Sequence, residues 1–186
     1  MHSNKTNIFL ISGPSGAGED SILNSIKNRI DFIKPITTTT REPREGEING
    51  KTYYFTTADE FKDGIKNGKF LEWAQADREK FYGVTKKEIA RVKKSGKIVL
   101  WKVDYKGVLT IKKLLPETIS VLITAPLDIL EKRIRTRDNA SEEFIRARME
   151  YAKGWLENED AFDYKIKNEQ GKLNEAVEKF VKIIKK

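Results

Sequence analysis

The chain has 186 residues and no cysteine, which allows one α/β domain with a substantial core and excludes disulfides, thiolate metal sites and cysteine nucleophiles. Its one histidine, His2, lies in a polar N-terminal stretch, which argues against histidine acid/base catalysis, and the net charge of +8 fits a cleft for polyanionic small molecules. No apolar run nears the roughly eighteen residues of a membrane span and no hydrophobic signal segment precedes the first strand, so a cytoplasmic protein that binds neither membrane nor nucleic acid is expected.

The apolar, β-branched run Ile8 to Ser12 predicts a buried strand. Gly13, Pro14, Ser15, Gly16, Ala17 and Gly18 then form a loop, and Asp20 to Phe32 carries Ile22, Leu23, Ile26 and Ile30 at helical spacing until Pro35 closes the segment. A threonine run from Ile36 ends in the basic turn at Arg41 to Arg44. Asn49-Gly50 is a hairpin signal, with Tyr53 to Thr56 as the return strand. Thr57 to Glu60 has the form of a capping box opening a helix that Asn67-Gly68 ends. Phe70 to Ala74 and Phe81 to Thr85 predict short strands, and Lys86 to Lys94 a helix.

Ile98 to Asp104 predicts another buried strand in which Lys102 is out of character. A helix over Gly107 to Leu115 and a strand over Ile119 to Thr124 follow. Next come a basic helix from Ile129 to Arg137, a turn at Asp138-Asn139 and a long helix from the Ser141 cap to about Asn158. A strand over Tyr164 to Asn168 and an amphipathic helix over Leu173 to Lys185 close the chain. Strands alternating with helices predict a parallel sheet covered on both faces.

Gly13 and Gly18 have the spacing of a phosphate-binding loop, in which glycines turn backbone N–H groups toward an anion at a helix N-terminus. The usual form, GxxxxGK[ST], supplies a lysine to the outer phosphates and a hydroxyl to magnesium. Here those positions are Glu19 and Asp20, followed by Ser21.

The loop, Thr38 to Arg44, Gly46 to Tyr53, Phe70 to Ala74 and Tyr82-Gly83 together resemble guanylate kinases in order and spacing, and the resemblance extends over nearly the whole chain. It implies a P-loop parallel sheet flanked by helices. Residues 1–35, 88–127 and 160–186 would form the core, 36–87 a GMP-binding subdomain and 128–159 a helical lid.

The resemblance also implies transfer of the γ-phosphoryl group of ATP to GMP, or to dGMP, with magnesium, in a monomer or homodimer. Arg41, Arg44, Tyr53 and Tyr82 would take the GMP phosphate, since guanidinium forks and phenols suit a monophosphate. Glu72, Thr37 and Asp104 would read guanine, with Val84 where the family often has a hydroxyl. Residues Gly13 to Ser21 and Asn168 would hold ATP. Arg41 and the lid arginines Arg133, Arg137 and Arg148 would neutralise charge on the transferring group, work suited to mobile guanidinium groups.

An acid at the lysine position swaps attraction for repulsion, about 4 kcal/mol per unit-charge contact near 4 Å at an effective dielectric of ~20. Lys102 stands where the resembling family carries a carboxylate, so the acid and base exchange places. The expectation is that Glu19 pairs with Lys102, that Lys102 supplies the missing cation, and that Asp20 helps hold magnesium. Two alternatives remain: a guanylate-kinase-like module that binds GMP or protein without turnover, and a ribose bisphosphate kinase, a class that can carry Asp-Ser as at Asp20-Ser21.

Overall fold

The computed structural model describes residues 7–77, 80–138 and 141–186, so His2 and Asn139 lie outside the described residues. Five strands make the first sheet: β1 (Ile8–Ser12), β2 (Phe32–Ile33), β7 (Ile98–Lys102), β8 (Ile119–Thr124) and β9 (Tyr164–Lys167), in the order β2-β7-β1-β8-β9 with every pair parallel. The β1 run is apolar from Ile8 to Ile11 because both of its faces are covered. Phe9 and Ile11 enter one core with α1 (Glu19–Ile26) and α7 (Leu173–Ile184). Ile8 and Leu10 enter a second core with Trp101, with Val108 and Ile111 of α4 (Tyr105–Leu114) and with Ile89 and Val92 of α3 (Lys86–Lys94). Period-two alternation along one strand thus supplies both layers.

The second sheet has the order β4-β3-β6-β5, from β3 (Thr38–Thr39), β4 (Tyr54–Phe55), β5 (Phe70–Asp77) and β6 (Lys80–Thr85). Helix α2 (Ala58–Lys66) begins with the anticipated capping box, Thr57 Oγ1 accepting from Glu60 N while the Glu60 carboxylate accepts from Thr57 N. Two further helices, α5 (Leu127–Asp138) and α6 (Glu142–Glu157), pack on each other, and Ser141 caps α6. No helix among the described residues is long and apolar enough to cross a membrane.

Two local expectations are corrected. The first helix ends at Ile26, and Phe32–Ile33 is an edge strand paired with Ile98 and Val99 instead of the helix end. Pro35 disfavours helical angles in the residue before it, and the apolar pair gains a strand partner that the helix could not offer. Asn49-Gly50 does make a tight turn, with Gly50 at φ 77° and its N–H on Tyr53 O at 2.8 Å. Strands β3 and β4 nevertheless run parallel, Thr38 opposite Tyr54, so the excursion between them is a crossover and not a hairpin.

The sheet order places β1 between β7 and β8, and the loop after β1 opens at the carboxyl edge shared by all three strands. In open parallel sheets this is where ligands bind. Lys102 ends β7 and Asn168 follows β9 at the same edge.

Candidate active site

Loop residues 13–18 leave β1 and enter α1 through Gly18, whose φ of 96° only glycine adopts readily. A Cβ there would also meet Asn168 Nδ2 at 2.4 Å. Asn168 is 4% exposed and spans the loop, donating from Nδ2 to Ala17 O at 2.7 Å, while its N–H donates to Thr124 O. Its Oδ1 is a buried acceptor with no partner among the described residues. Arg133 holds the same region from α5, donating to Gly16 O and Asn168 O, each at 3.0 Å. Arg137, one turn on, donates to Ser15 Oγ at 3.0 Å. Gly16, Gly18, Arg133, Arg137 and Asn168 wall a cleft of about 680 Å³ that also takes in Glu19, Asp20, Ser21 and Lys132.

The expected Glu19–Lys102 pair is not the one that forms. Lys102 Nζ lies 2.9 Å from both carboxylate oxygens of Asp20. Successive helix residues point about 100° apart, so one of two adjacent acids reaches β7 while the other turns inward. Glu19 turns inward: its carboxyl carbon lies 3.2 Å from where a Cβ on Gly13 would sit. Burial pushes that carboxyl up to about 7, against its own N–H, the charge of Lys102 and the Gly18 N–H, with Asp20 adding repulsion.

Lys34 joins this group with little signal in the local pattern. It follows β2 at the carboxyl edge, and its ammonium is pulled below the usual lysine range by burial and by the neighbouring Lys102 and Lys27, with Asp20 acting the other way. Its position just before Pro35 marks a strand end, which is the one clue the sequence holds.

On the second sheet Arg41 lies with its guanidinium carbon 5.3 Å from the Tyr53 ring centre, and Tyr53 meets Tyr82 edge-on at 6.4 Å. Arg41 Nη2 donates to both oxygens of Glu47 at 2.8 and 2.9 Å while Nη1 donates to Glu42 O at 2.6 Å, and Arg44 N donates to the same carboxylate at 2.7 Å. Three expected phosphate ligands are therefore together. The Arg44 backbone N–H shares the Glu47 anion with Arg41, and the Arg44 charge acts on that carboxylate too.

Glu72 sits opposite Val84 in the β5–β6 ladder. Burial, then the charge of Asp104, lifts its carboxyl to about 7, against the Val84 N–H. Val84 itself is 1% exposed and packs in the second core, so its backbone, not its side chain, serves the site. Thr37 stays at the sheet edge, its carbonyl accepting from Tyr54 N at 2.9 Å. Asp104 caps α4 through Oδ1 to Gly107 N at 2.7 Å and accepts from Tyr151 on α6 at 3.2 Å.

A second cleft, of about 1020 Å³, runs from the loop past Lys102 and Asp104 to Arg137, Arg148 and Tyr151. Arg148 rests its guanidinium carbon 4.9 Å from the Phe144 ring centre. One basic arm, Arg137, thus faces both clefts. Cations thus line two clefts that both reach the phosphate loop, a layout that suits phosphoryl transfer between two anionic ligands.

The sequence model of the family described as guanylate kinase matches residues 5–186. A guanylate kinase of Helicobacter pylori is 38% identical over 186 residues, covering 99% of this chain and 86% of the relative. A guanylate kinase of Fusobacterium nucleatum is 36% identical, covering 95% of each chain. The crystal structure of guanylate kinase from Anaplasma phagocytophilum superposes with a TM-score of 0.70 at 26% identity, over 96% of this chain and 84% of that one.

Proposed function

This chain belongs to the guanylate kinase family, and from that membership we propose that it transfers the γ-phosphoryl group of ATP to GMP, giving ADP and GDP. The observation that carries the reading at the site is the Arg41 guanidinium, Nη2 donating to both oxygens of Glu47, beside Tyr53 and Tyr82. A guanidinium that donates to two carboxylate oxygens can donate likewise to two oxygens of the GMP phosphate, which carries more charge.

Under this reading residues 36–87 carry GMP, 128–159 form the lid, and the remainder holds ATP. Arg41, Arg44, Tyr53 and Tyr82 bind the acceptor phosphate. Glu72 accepts from guanine N1–H and its 2-amino group, and Thr37 and Asp104 complete base recognition. ATP lies along Gly13 to Ser21 with its base toward the unpartnered Oδ1 of Asn168, an acceptor suited to an amino group. Arg133, Arg137 and Arg148 offset the charge that builds on the transferring group, where preorganised donors are most effective.

Lys102 takes the place of the absent loop lysine. Its pair with Asp20 is exposed, and pairs of that kind contribute about 0–1 kcal/mol, so a polyphosphate can displace Asp20 from it. The released Asp20 is then available to magnesium, which kinases hold with one or two carboxylates, phosphate oxygens and water. The donor set fits that arrangement only as a contribution to it, because no group of three or more acids or histidines able to hold a metal ion exists among the described residues. Bound magnesium would neutralise phosphate charge. The reaction calls for a compartment holding ATP and GMP, the cytoplasm.

Relatives spanning the whole chain carry the guanylate kinase name, which leaves the binding-only module and the ribose bisphosphate kinase without support of their own. The test is an ADP-release assay with ATP and magnesium in which GMP is compared with AMP, UMP, CMP and ribose 1,5-bisphosphate. Turnover with GMP above all others is expected. Turnover with the bisphosphate alone, or GMP binding with no ADP release, would overturn the reading.

A further inference from the structure

Tyr151 belongs to the lid-side helix α6 yet touches the guanine side of the site. Its hydroxyl donates to Asp104 Oδ2 at 3.2 Å, while Oδ1 of the same carboxylate accepts from Gly107 N at 2.7 Å. A carboxylate held at one oxygen can rotate about its side-chain bond; held at both, its plane is fixed and its remaining lone pairs have set directions.

The ring that brings the hydroxyl there is itself held. Tyr151 meets Trp155 edge-on at 5.2 Å and Tyr105 at 5.8 Å, and Trp155 Nε1 donates to the buried Ser12 Oγ at 2.8 Å, at the last residue of β1 before the phosphate loop. Tyr105 can lie against α6 because residue 154 is glycine; a Cβ there would come within 2.8 Å of its ring. The C-terminal half of α6 is thus pinned to the core by aromatic packing and two hydrogen bonds. Arg148, which lines the same cleft, lies one turn before Tyr151 on that helix.

We propose that Tyr151 is a positioning residue that fixes the Asp104 carboxylate for guanine and links the seating of helix α6 to recognition of the acceptor base. This rests on the GMP reading above. Asp104 and Glu72 act on one another electrostatically, so two carboxylates address one region, Glu72 accepting from guanine N1–H and the 2-amino group and Asp104 adding an acceptor for that amino group's second hydrogen. Burial and the Asp104 charge push the phenol up to about 12, which keeps it a donor throughout the working range. The hydroxyl also draws off part of the Asp104 charge and so lessens its repulsion of Glu72.

The test is Tyr151→Phe, which keeps the ring against Tyr105 and Trp155 and removes only the oxygen. Calorimetry with GMP, IMP and ATP is run beside steady-state turnover. The expected result is about tenfold weaker GMP binding and a matching rise in KM for GMP, as for loss of a hydrogen bond to a charged group. ATP affinity, kcat and the melting midpoint stay within about twofold or two degrees of wild type. IMP lacks the 2-amino group and loses less, so the GMP/IMP preference shrinks.

Unchanged GMP affinity in a wild-type protein that binds GMP would overturn this inference alone. Parallel losses for GMP, IMP and ATP with a lowered melting midpoint would also overturn it, by reducing Tyr151 to a structural role. Wild type with no affinity for GMP would overturn the inference together with the reading beneath it.

Discussion

Lys102 is held by Asp20 through both carboxylate oxygens at 2.9 Å, across 82 residues of sequence, while the adjacent Glu19 folds away into the phosphate loop. The ammonium side chain is 46% exposed and the carboxylate 71%, so the bond is weak enough to exchange. Its value lies in place: it keeps a cation at the mouth of a loop that carries none at its usual position.

Lys102→Met should therefore remove activity without unfolding the protein. A drop of roughly 10²–10³ in kcat is expected, the size seen when one preorganised donor to a developing charge is lost. Stability should change by no more than ~0.5 kcal/mol, as for other exposed positions. ADP release with GMP, measured beside a thermal melt, checks both; near-normal turnover would remove Lys102 from the mechanism.

Glu72 gives a pH signature. Its carboxyl titrates near 7 because burial and then Asp104 disfavour the charge, and only the ionised form accepts two donors from guanine. GMP affinity should rise as pH increases from about 6 to 8, and Glu72→Gln should weaken GMP binding and flatten that rise. Stability runs the other way. The folded carboxyl titrates above its ordinary 4.5, so ionising it costs stability as pH climbs from 4.5 through about 7. The glutamine variant should accordingly melt a few degrees higher than wild type at pH 8, and no higher at pH 4.

Gly18→Ala tests the loop geometry. Its φ of 96° costs an alanine about 1–2 kcal/mol, and the new methyl would stand 2.4 Å from Asn168 Nδ2, breaking that side chain from Ala17 O. ATP affinity should fall at least tenfold and the melting midpoint by several degrees. GMP binding, measured by calorimetry, should stay within about twofold.

Glu88 is 3% exposed on α3 and binds Ile36 N at 2.7 Å, Tyr54 Oη at 3.3 Å and the Arg91 fork, tying α3 to the segments that begin the second sheet. Burial alone would raise its titration, but the Arg91 fork and the Ile36 N–H outweigh it and hold the carboxyl below its ordinary 4.5. Its contribution is present above 4.5 and is lost as pH falls below it. Glu88→Ala should cost about 2–4 kcal/mol at pH 7, since it leaves buried donors unpaired. Melting curves should show the difference from wild type shrinking toward pH 3.

The sequence by itself determined the elements whose causes are local. The β1 run, the glycine spacing after it, the Thr57 capping box, the bounds of α3 and β8 and the amphipathic α7 all follow from period, cap and turn chemistry within a few residues. Arg41, Tyr53 and Tyr82, which the family resemblance grouped with Arg44, do lie together. Tertiary structure decided which charge meets which. Asp20 and not Glu19 reaches Lys102, Lys34 joins them from β2, β3 and β4 run parallel, and Tyr151 finds Asp104 from another helix. Each of these depends on strand register and on the angle at which a helix leaves the sheet. A one-residue change in either turns a side chain to the opposite face, and no local pattern fixes that outcome before the layers pack.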